Sequence, residues 1–314
     1  MSTGHTRHLI SLRDLTRKNL DEIVDRGLKV AAGDFDTTRL KNHVVGVYFT
    51  LTSTRTRTAF TTGAQRLGAQ VIGYGPDDLQ LNTGETLEDT IRVLSRMLDV
   101  LVVRTSLDSL ALRAVAEAQE GMAVINAMSD DEHPTQALAD LLTLRRYFGR
   151  IEGLKILYMG EGNNTASALG LAISRYPGAE LHLRTPKGYG VPTQILAESN
   201  RQDRMGTVVE KHDLTDLPDE VHVVYTTRWQ TTGTRKPDPH WKSTFSPFRV
   251  DERLMARYPD AIFMHDLPAH RGEEVDAAVI DGTRSIVFDQ AAGKLYSAMA
   301  ALEWCLSENE CGSL

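Results

Sequence analysis

Short apolar runs rich in β-branched residues alternate with longer amphipathic runs along nearly the whole chain. In Thr86–Met97, for example, apolar residues recur every three or four positions, which predicts a helix with one buried face. The apolar runs predict strands at nine places: Val44–Phe49, Gln70–Tyr74, Val100–Val103, Ala123–Asn126, Lys155–Met159, Glu180–Arg184, His222–Thr226, Ile262–His265 and Ser285–Phe288. Strands that alternate with helices imply βαβ units and therefore parallel sheets.

This pattern predicts an α/β fold with two doubly wound parallel-sheet domains, because nine strands are too many for one core of this type. The division falls after a helix predicted at Pro134–Tyr147, in the loop 149–153. A last helix, Gln290–Leu306, has a pattern that suits packing on either half, and we predict that it returns to the first domain. The predicted segments are 1–148 for the first domain, 149–289 for the second and 290–314 for the returning C-terminal part.

Composition narrows the class of protein without changing the predicted fold. The 314 residues are 41% hydrophobic and 25% charged, and the net charge is −7 with a pI of about 5.8, which is not typical of nucleic-acid-binding proteins. No apolar run approaches the ~18 residues of a membrane helix, and the N-terminal segment lacks the apolar core of a signal peptide. Cys305 and Cys311 offer neither a disulfide framework nor a four-ligand zinc site. We expect a cytoplasmic enzyme or binding protein without a metal.

The densest chemical signal is Ser53–Thr58 (STRTRT), which follows the first predicted strand and opens a helix. The free N–H groups of a helix N-terminus bind anions, and Arg55 adds a guanidinium that suits a phosphate. The alternative interpretation is an ordinary N-cap followed by two surface arginines. Alternating Thr and Arg directly after a buried strand are uncommon, which favours the anion site.

Two further groups begin a helix or end a strand. Pro134 marks a helix start, which leaves His133 at the mouth of the helix and Gln136 on its first turn. Arg104 ends the apolar run LDVLVVR, at the edge where open α/β sheets bind ligands. The simpler interpretations are a capping histidine for His133 and a charge that merely ends a strand for Arg104.

Three loops after predicted strands carry further candidate chemistry. Gly160–Thr165 (GEGNNT) has the start of a dinucleotide-binding loop but lacks its third glycine, so a nucleotide-dependent oxidoreductase has weak support. His265–Pro268 (HDLP) places a proline after a strand, where a cis peptide fixes a tight turn. Tyr225–Gln230 combines a guanidinium, an indole and an amide, and Thr231–Ser246 is polar and rich in turn residues, which predicts a mobile loop.

The segments Ser53–Arg57 (STRTR), His133–Gln136 (HPTQ) and His265–Pro268 (HDLP), in this order and spacing, resemble the aspartate/ornithine carbamoyltransferase family. The resemblance covers the whole chain, and LPAHRGEEV at Leu267–Val275 is closer to the ornithine branch. It implies an enzyme that transfers a carbamoyl group from carbamoyl phosphate to an amine, without a metal or an organic cofactor.

The resemblance implies a role for each matching residue at the donor site. The residues expected to hold the phosphate are Ser53, Thr54, Arg55 and Thr56. Thr56, Arg104 and His133 are expected to converge on the carbonyl oxygen, where negative charge develops. Gln136 is expected to orient the carbamoyl amide. The backbone carbonyl of the Leu267–Pro268 peptide, predicted to be cis, is expected to face that amide or the incoming amine.

Two more donor-site residues follow from the resemblance. Gln80 matches a family position that reaches the neighbouring subunit's site, which implies a homotrimer with shared active sites. Lys294 occupies the position at which the ornithine branch has an arginine near the donor, so a compact ammonium replaces a planar guanidinium. Arg57 matches a more structural position, and we do not expect it in the site.

The acceptor half departs from both branches of the family. The ornithine branch binds the α-ammonium with an aspartate, and Thr227 occupies that position in this chain. The cysteine of the HCLP motif in the ornithine branch is replaced here by Asp266. Thr231 begins the segment that is Ser-Met-Gly in that branch. Thr227–Gln230 instead matches the aspartate branch, in which the Arg and Gln hold a carboxylate, yet that branch's arginine for the α-carboxylate is Asn164 here.

The residues expected to bind the acceptor are Asn164, Thr227, Arg228, Gln230, Thr231, Asp266, Leu267 and Pro268. Arg228 suits a carboxylate and Asp266 suits an ammonium, so the predicted acceptor is ornithine-like or a shorter diamino acid such as 2,3-diaminopropionate. One alternative is that the loop has drifted or is misaligned. Another is a non-catalytic trimeric paralogue that binds carbamoyl phosphate and an amino acid.

Overall fold

Two parallel sheets form the frame of the computed structural model, which describes residues 7–307. The first sheet contains β1 (Val44–Phe49), β2 (Gln70–Tyr74), β3 (Val100–Arg104) and β4 (Ala123–Met128), in the order β2-β1-β3-β4. The second contains β5 (Lys155–Met159), β6 (Glu180–Arg184), β7 (Thr207–Lys211), β8 (Val223–Thr226) and β9 (Ile262–His265), in the order β7-β6-β5-β8-β9. Every pair is parallel, which confirms the predicted fold class.

Helices connect the strands and cover both faces of the sheets. In the described residues they are α1 (Arg17–Ala31), α2 (Arg55–Arg66), α3 (Leu87–Leu94), α4 (Ser109–Glu117), α5 (Pro134–Phe148), α6 (Asn164–Ile173), α7 (Thr193–Ser199), α8 (Trp241–Phe245), α9 (Glu252–Arg257), α10 (Ala277–Ile280) and α11 (Val287–Leu306). Two 3₁₀ helices lie at Gln80–Thr83 and Ser246–Phe248. Within residues 7–307 no helix combines the length and apolarity needed to cross a bilayer.

Helix α11 returns to the first domain, as predicted, and packs against α1, α2 and α5. Two glycines allow this close packing. A Cβ at Gly63 of α2 would lie 2.9 Å from Met299 Cγ, and a Cβ at Gly293 of α11 would lie 3.0 Å from Thr143 Oγ1. Helix α5 also packs against α6 of the second domain, so the two domains meet through buried helices and a shared apolar core.

Three predictions about elements are wrong in part. The segment predicted as a strand at Ser285–Phe288 makes a single bridge, between Ser285 and Phe263, and α11 begins at Val287 because an apolar run this short also suits a buried helix start. Strand β7 was missed because it is a half-exposed edge strand with little apolar signal. The predicted loop Thr231–Ser246 contains α8. Cys311 lies outside the described residues.

The strand orders place one crevice between the two sheets. The direction in which strands are added to the sheet reverses between β1 and β3 in the first sheet and between β5 and β8 in the second. Side chains at the carboxyl ends of strands on either side of such a reversal face an open crevice, where α/β proteins bind ligands. The candidate motifs follow these strand ends, so the topology brings both halves of the sequence to one place.

Candidate active site

A cavity of about 390 Å³ lies between the carboxyl edges of the two sheets. It collects every predicted site residue except Gln80: Ser53, Thr54, Arg55, Thr56, Arg104, His133, Gln136, Asn164, Thr227, Arg228, Gln230, Thr231, Asp266, Leu267, Pro268 and Lys294. Lining residues that sequence analysis did not identify are Thr52, Met128, Asn163, Thr165 and Thr232. The donor half comes from the first domain and α11, and the acceptor half comes from the second domain.

The N-terminus of α2 forms one wall of the cavity. Thr54 is the N-cap residue but its side chain makes no capping hydrogen bond, and the Ser53 hydroxyl accepts from Arg57 N at 3.4 Å. Burial lowers the pKa of Arg55, whose guanidinium faces the cavity. Arg57 lies outside the cavity, 5.5 Å over the Phe49 ring, in agreement with its predicted exclusion from the site.

Arg104 is the most informative side chain in the donor half. Its side chain lies in the cavity wall, the residue is 8% exposed, and within residues 7–307 its guanidinium has no hydrogen bond or ion pair. Burial, and then the charge of Arg55, lowers the pKa of Arg104 to about 10. A buried cation without a partner costs several kcal/mol, on the order of the desolvation penalty of an ion. The arrangement therefore favours an anionic ligand.

His133, Gln136 and Lys294 complete the donor half. Burial, followed by the charges of Lys294, Arg104 and Arg55, lowers the pKa of His133 well below its ordinary value, so the imidazole is neutral. Lys294 donates a hydrogen bond to Gln136 Oε1. Burial lowers the pKa of Lys294 to about 8, although Asp266 and other acidic groups act in the opposite direction. A neutral imidazole and a titratable ammonium thus face the same cavity.

Asp266 is the acidic residue of the acceptor half. Its carboxylate accepts hydrogen bonds from Thr165 Oγ1 at 2.9 Å and from Thr227 Oγ1 at 3.0 Å. Burial acts to raise the pKa of Asp266, but the hydrogen bond and charge of His265, with the charge of Lys294, lower it below its ordinary value. Asp266 is therefore ionised, and its charge also raises the pKa values of Arg55 and Arg104.

The predicted acceptor residues divide into those that face the cavity freely and those that bind the protein. Arg228 Nε donates to the Gln230 carbonyl at 2.5 Å, while its terminal guanidinium nitrogens have no partner in the described chain. Gln230 Nε2 donates to the Thr234 carbonyl, Thr231 binds Glu161, and Asn164 Nδ2 donates to the Ser129 carbonyl at 2.9 Å. Arg228 and Asp266 are the charged residues of this half that line the cavity, and Asp266 is held there by Thr165 and Thr227.

Three other predicted features lie where their sequence context placed them. The Leu267–Pro268 peptide is cis and lies in the cavity wall. Gln80 is exposed in a 3₁₀ helix after β2, and its Oε1 accepts from Thr83 Oγ1 at 3.1 Å. A Cβ at Gly162 would lie 2.2 Å from Val191 N, so this glycine of the Gly-x-Gly pair permits close packing between two loops of the chain.

The segment Thr231–Ser246 is anchored over the second domain. The Lys236 side chain is 4% exposed and pairs with Glu161, and its Nζ lies 4.6 Å from the centroid of the Tyr189 ring and 4.8 Å from that of the Phe245 ring. The sequence signal for this anchor is weak, because Glu161 and Lys236 are far apart in the chain. Thr231, which lines the cavity, is held by the same Glu161 carboxylate.

Comparison with known proteins identifies the family to which both halves of the chain are similar. A family model described as "Aspartate/ornithine carbamoyltransferase, carbamoyl-P binding domain" matches residues 7–146, and the corresponding "Asp/Orn binding domain" matches residues 152–305. The chain is 38% identical over 313 residues to an ornithine carbamoyltransferase of Parafrankia sp. (strain EAN1pec), with 98% of each chain covered. It superposes on ornithine carbamoyltransferase from Pyrococcus furiosus with a TM-score of 0.87 at 34% identity, covering 96% of this chain and 97% of that one. The enzyme from Giardia lamblia gives a TM-score of 0.85 at 31% identity, with 98% and 99% covered.

The unpaired charge of Arg104 leads to a prediction about both stability and binding. We expect Arg104→Met to leave the Tm of the unliganded protein unchanged or higher, because it removes a buried charge without a partner. Inorganic phosphate should raise the Tm of the wild type but not that of the variant. Turnover should fall by about 10²–10³-fold or more, the usual effect of losing one oxyanion donor.

Thermal denaturation with and without phosphate measures the first two effects, and steady-state kinetics measures the third. Arg57→Met is the matched control. Arg57, on α2, carries the same charge as Arg104 but lies outside the cavity. An equal phosphate-induced rise in the Tm of Arg104→Met and the wild type would contradict the assignment of Arg104 to the anion site.

Proposed function

This chain belongs to the aspartate/ornithine carbamoyltransferase family and is a carbamoyltransferase, and from that premise we propose the groups that carry the transfer and the amine that accepts it. The reaction moves the carbamoyl group of carbamoyl phosphate to an amino-acid amine and releases phosphate. The observation that carries the proposal is the buried, unpartnered guanidinium of Arg104 at the junction of the donor and acceptor halves.

At the donor site we assign the phosphate to the N-terminus of α2 and to two guanidinium groups. The phosphate ligands are Ser53, Thr54, Arg55, Thr56 and Arg104. Arg104, Thr56 and neutral His133 donate to the carbonyl oxygen, on which negative charge develops as the amine attacks. Since the imidazole is neutral, it polarises the carbonyl by donating one N–H. The departing phosphate takes the proton that the amine loses, so no protein base is required.

At the acceptor site the two charged side chains that line the cavity have opposite signs. Arg228 binds the α-carboxylate and Asp266 binds an ammonium. Asp266 directly precedes the Leu267–Pro268 peptide, and its charge reaches Arg55 and Arg104, so the ammonium lies close to the reacting carbon. A second amine only one or two methylenes away can reach that carbon. This favours 2,3-diaminopropionate or 2,4-diaminobutyrate over ornithine, whose longer chain has to bend.

A non-catalytic binding subunit explains the site less well. A binder needs a phosphate cradle, but it has no use for Thr56, Arg104 and His133 around a carbonyl oxygen. No contact in residues 7–307 favours that alternative over catalysis.

We propose a homotrimer in which Gln80 enters the cavity of a neighbouring subunit. Gln80 lies outside the cavity of its own chain, between edge strand β2 and helix α3. The segments beside it expose apolar side chains: Ile72 is 43%, Val93 50% and Met97 67% exposed. Exposed apolar groups beside an unpaired strand edge are typical of surfaces that another chain covers.

The acceptor assignment predicts an order of substrates. The value of kcat/KM should be highest for 2,3-diaminopropionate or 2,4-diaminobutyrate and lower for ornithine and lysine, because each methylene commonly changes specificity about 10–200-fold. Aspartate should react poorly, since it brings a second carboxylate to Asp266. The measurement is ureido formation from carbamoyl phosphate across this panel.

Asp266→Asn and Arg228→Gln serve as matched variants in that assay. Asp266→Asn should raise KM for the diamino acids by about tenfold or more, the cost of one charged hydrogen bond, and leave KM for carbamoyl phosphate within a few-fold. Ornithine or aspartate as the best wild-type substrate by tenfold would refute the short-chain assignment while leaving carbamoyl transfer intact.

The shared site predicts complementation between inactive subunits. Arg55→Ala and Gln80→Ala homotrimers should each be nearly inactive, whereas an equimolar random mixture of the two chains should regain about a quarter of wild-type activity, because random mixing completes one site in four. Mixing Arg55→Ala with Arg104→Ala is the control and should restore nothing, since both residues belong to one chain's cavity. A monomer in light scattering at micromolar concentration would remove the basis of this prediction.

The titratable ammonium of Lys294 predicts a pH dependence of donor binding. Its pKa in the free protein is lowered to about 8, and only the charged form attracts the phosphate. KM for carbamoyl phosphate should therefore rise as the pH increases through 8. In Lys294→Arg, which stays charged, KM should remain flat, and in Lys294→Met it should be high at every pH. Identical pH profiles for the wild type and Lys294→Arg would contradict this role.

A further inference from the structure

Asp140 is a fully buried carboxylate on α5 that the proposed reaction does not use. Its Oδ1 accepts hydrogen bonds from Gln136 Nε2 and Gln290 Nε2, both at 2.8 Å, and its Oδ2 accepts one from Tyr225 OH at 3.0 Å. These three donors come from α5, α11 and β8, so the carboxylate joins elements of both domains. Asp140 lies directly behind Gln136 and outside the cavity wall.

An ionised carboxylate determines which end of the Gln136 amide faces it. A carboxylate only accepts hydrogen bonds, so the NH₂ group of Gln136 must turn towards Asp140. The amide oxygen then faces the other way, where it accepts from Lys294 and lines the cavity. An amide oxygen has two lone pairs, which leaves one for a ligand. Asp140 and Lys294 therefore favour the same amide direction, Asp140 by accepting from the NH₂ group and Lys294 by donating to the oxygen.

The surroundings of Asp140 keep it ionised at neutral pH. Burial raises the pKa of Asp140 to about 6, while hydrogen bonds from Gln290, Gln136 and Tyr225 and the charge of Lys294 act in the opposite direction. Tyr158 of β5 also interacts electrostatically with Asp140, and burial raises the pKa of Tyr158 well above its ordinary value. At pH 7 the Asp140 carboxyl is therefore mostly ionised.

We propose that Asp140 is a positioning residue that sets the direction of the Gln136 amide and thereby makes the cavity select a donor bearing an NH₂ group on its reacting carbonyl. This inference rests on the proposed function, in which Gln136 contacts the carbamoyl group. The free lone pair of Gln136 Oε1 accepts from the carbamoyl NH₂. A methyl group in that place, as in acetyl phosphate, leaves the buried oxygen without that partner, and such a loss is costly.

The test measures selectivity between two donors that share the same phosphate. For each variant, the ratio of Ki for acetyl phosphate, as an inhibitor of ureido formation, to KM for carbamoyl phosphate is determined at pH 7.5. Asp140→Asn retains the size of the side chain but removes the charge that holds the Gln136 NH₂ group, so that Lys294 alone favours the amide direction. We expect the ratio to fall about three- to tenfold, the worth of one hydrogen bond. Asn164, Arg228 and Asp266 do not contact Asp140, so KM for the acceptor should change little.

Tyr225→Phe is the matched control, because it removes a donor to the same carboxylate and leaves the Gln136 direction fixed. It should keep the wild-type ratio. An unchanged ratio in folded Asp140→Asn, or an equal fall in Tyr225→Phe, would overturn the proposal. Should Asp140→Asn fail to fold, the wild type provides the second measurement.

In the wild type, the ratio should fall as the pH decreases from 7.5 to 5.5, because protonated Asp140 gains an O–H donor and no longer dictates the amide direction. The phosphate groups of carbamoyl phosphate and acetyl phosphate titrate alike, so a change in the ratio reports on the protein. A constant ratio across this range would also overturn the proposal. Absence of any ureido product in the wild type is a separate outcome, since it contradicts the proposed function itself.

Discussion

Uncompensated positive charge in one cavity is the constraint on which the rest of this structure depends. The cations that line it are Arg55, Arg104, Arg228 and Lys294, and Asp266 is the one acid among the described lining residues. Burial lowers the pKa of Arg104 to about 10 and that of Lys294 to about 8, which reflects the free-energy cost of holding these cations together without a ligand. The proposed dianionic donor would offset that cost, and the same cations contribute to the lowered pKa of His133.

Such a cavity requires a rigid frame, because like charges repel and would otherwise spread apart. The frame is the junction of α5, α6 and α11. His133 N donates to the Asn164 carbonyl at 3.2 Å, and Asn164 Nδ2 donates to the Ser129 carbonyl, so the start of α5 is fixed to the second domain. Behind it, Gln290 Oε1 accepts from His265 N at 2.8 Å. Asp266, the proposed acceptor-binding residue, follows His265 directly, so this bond fixes its position relative to α11.

The donor and acceptor halves differ in how far the sequence alone determines them. The donor groups lie on short, contiguous motifs at strand ends, and the parallel topology brings strand ends together. The acceptor groups belong to long loops whose contacts are not local. Gln230, for example, uses its amide nitrogen to bind Thr234, and Thr231 binds Glu161, so the side chains that matched the aspartate branch in sequence are only partly free for a ligand.

Hydrophobic periodicity by itself determined the two parallel sheets, eight of the observed strands to within two residues, and the places where Arg104, His133 and Asp266 stand at strand or helix ends. It could do so because strand length, helix period and the reversal of strand order are local or topological properties. Only the tertiary structure decided that the Arg104 side chain has no hydrogen bond within residues 7–307, that Gln136 Nε2 donates to Asp140, and that Lys236 pairs with Glu161. Burial and pairing depend on residues far apart in the chain, and the pKa of a charged group depends on all of its neighbours at once.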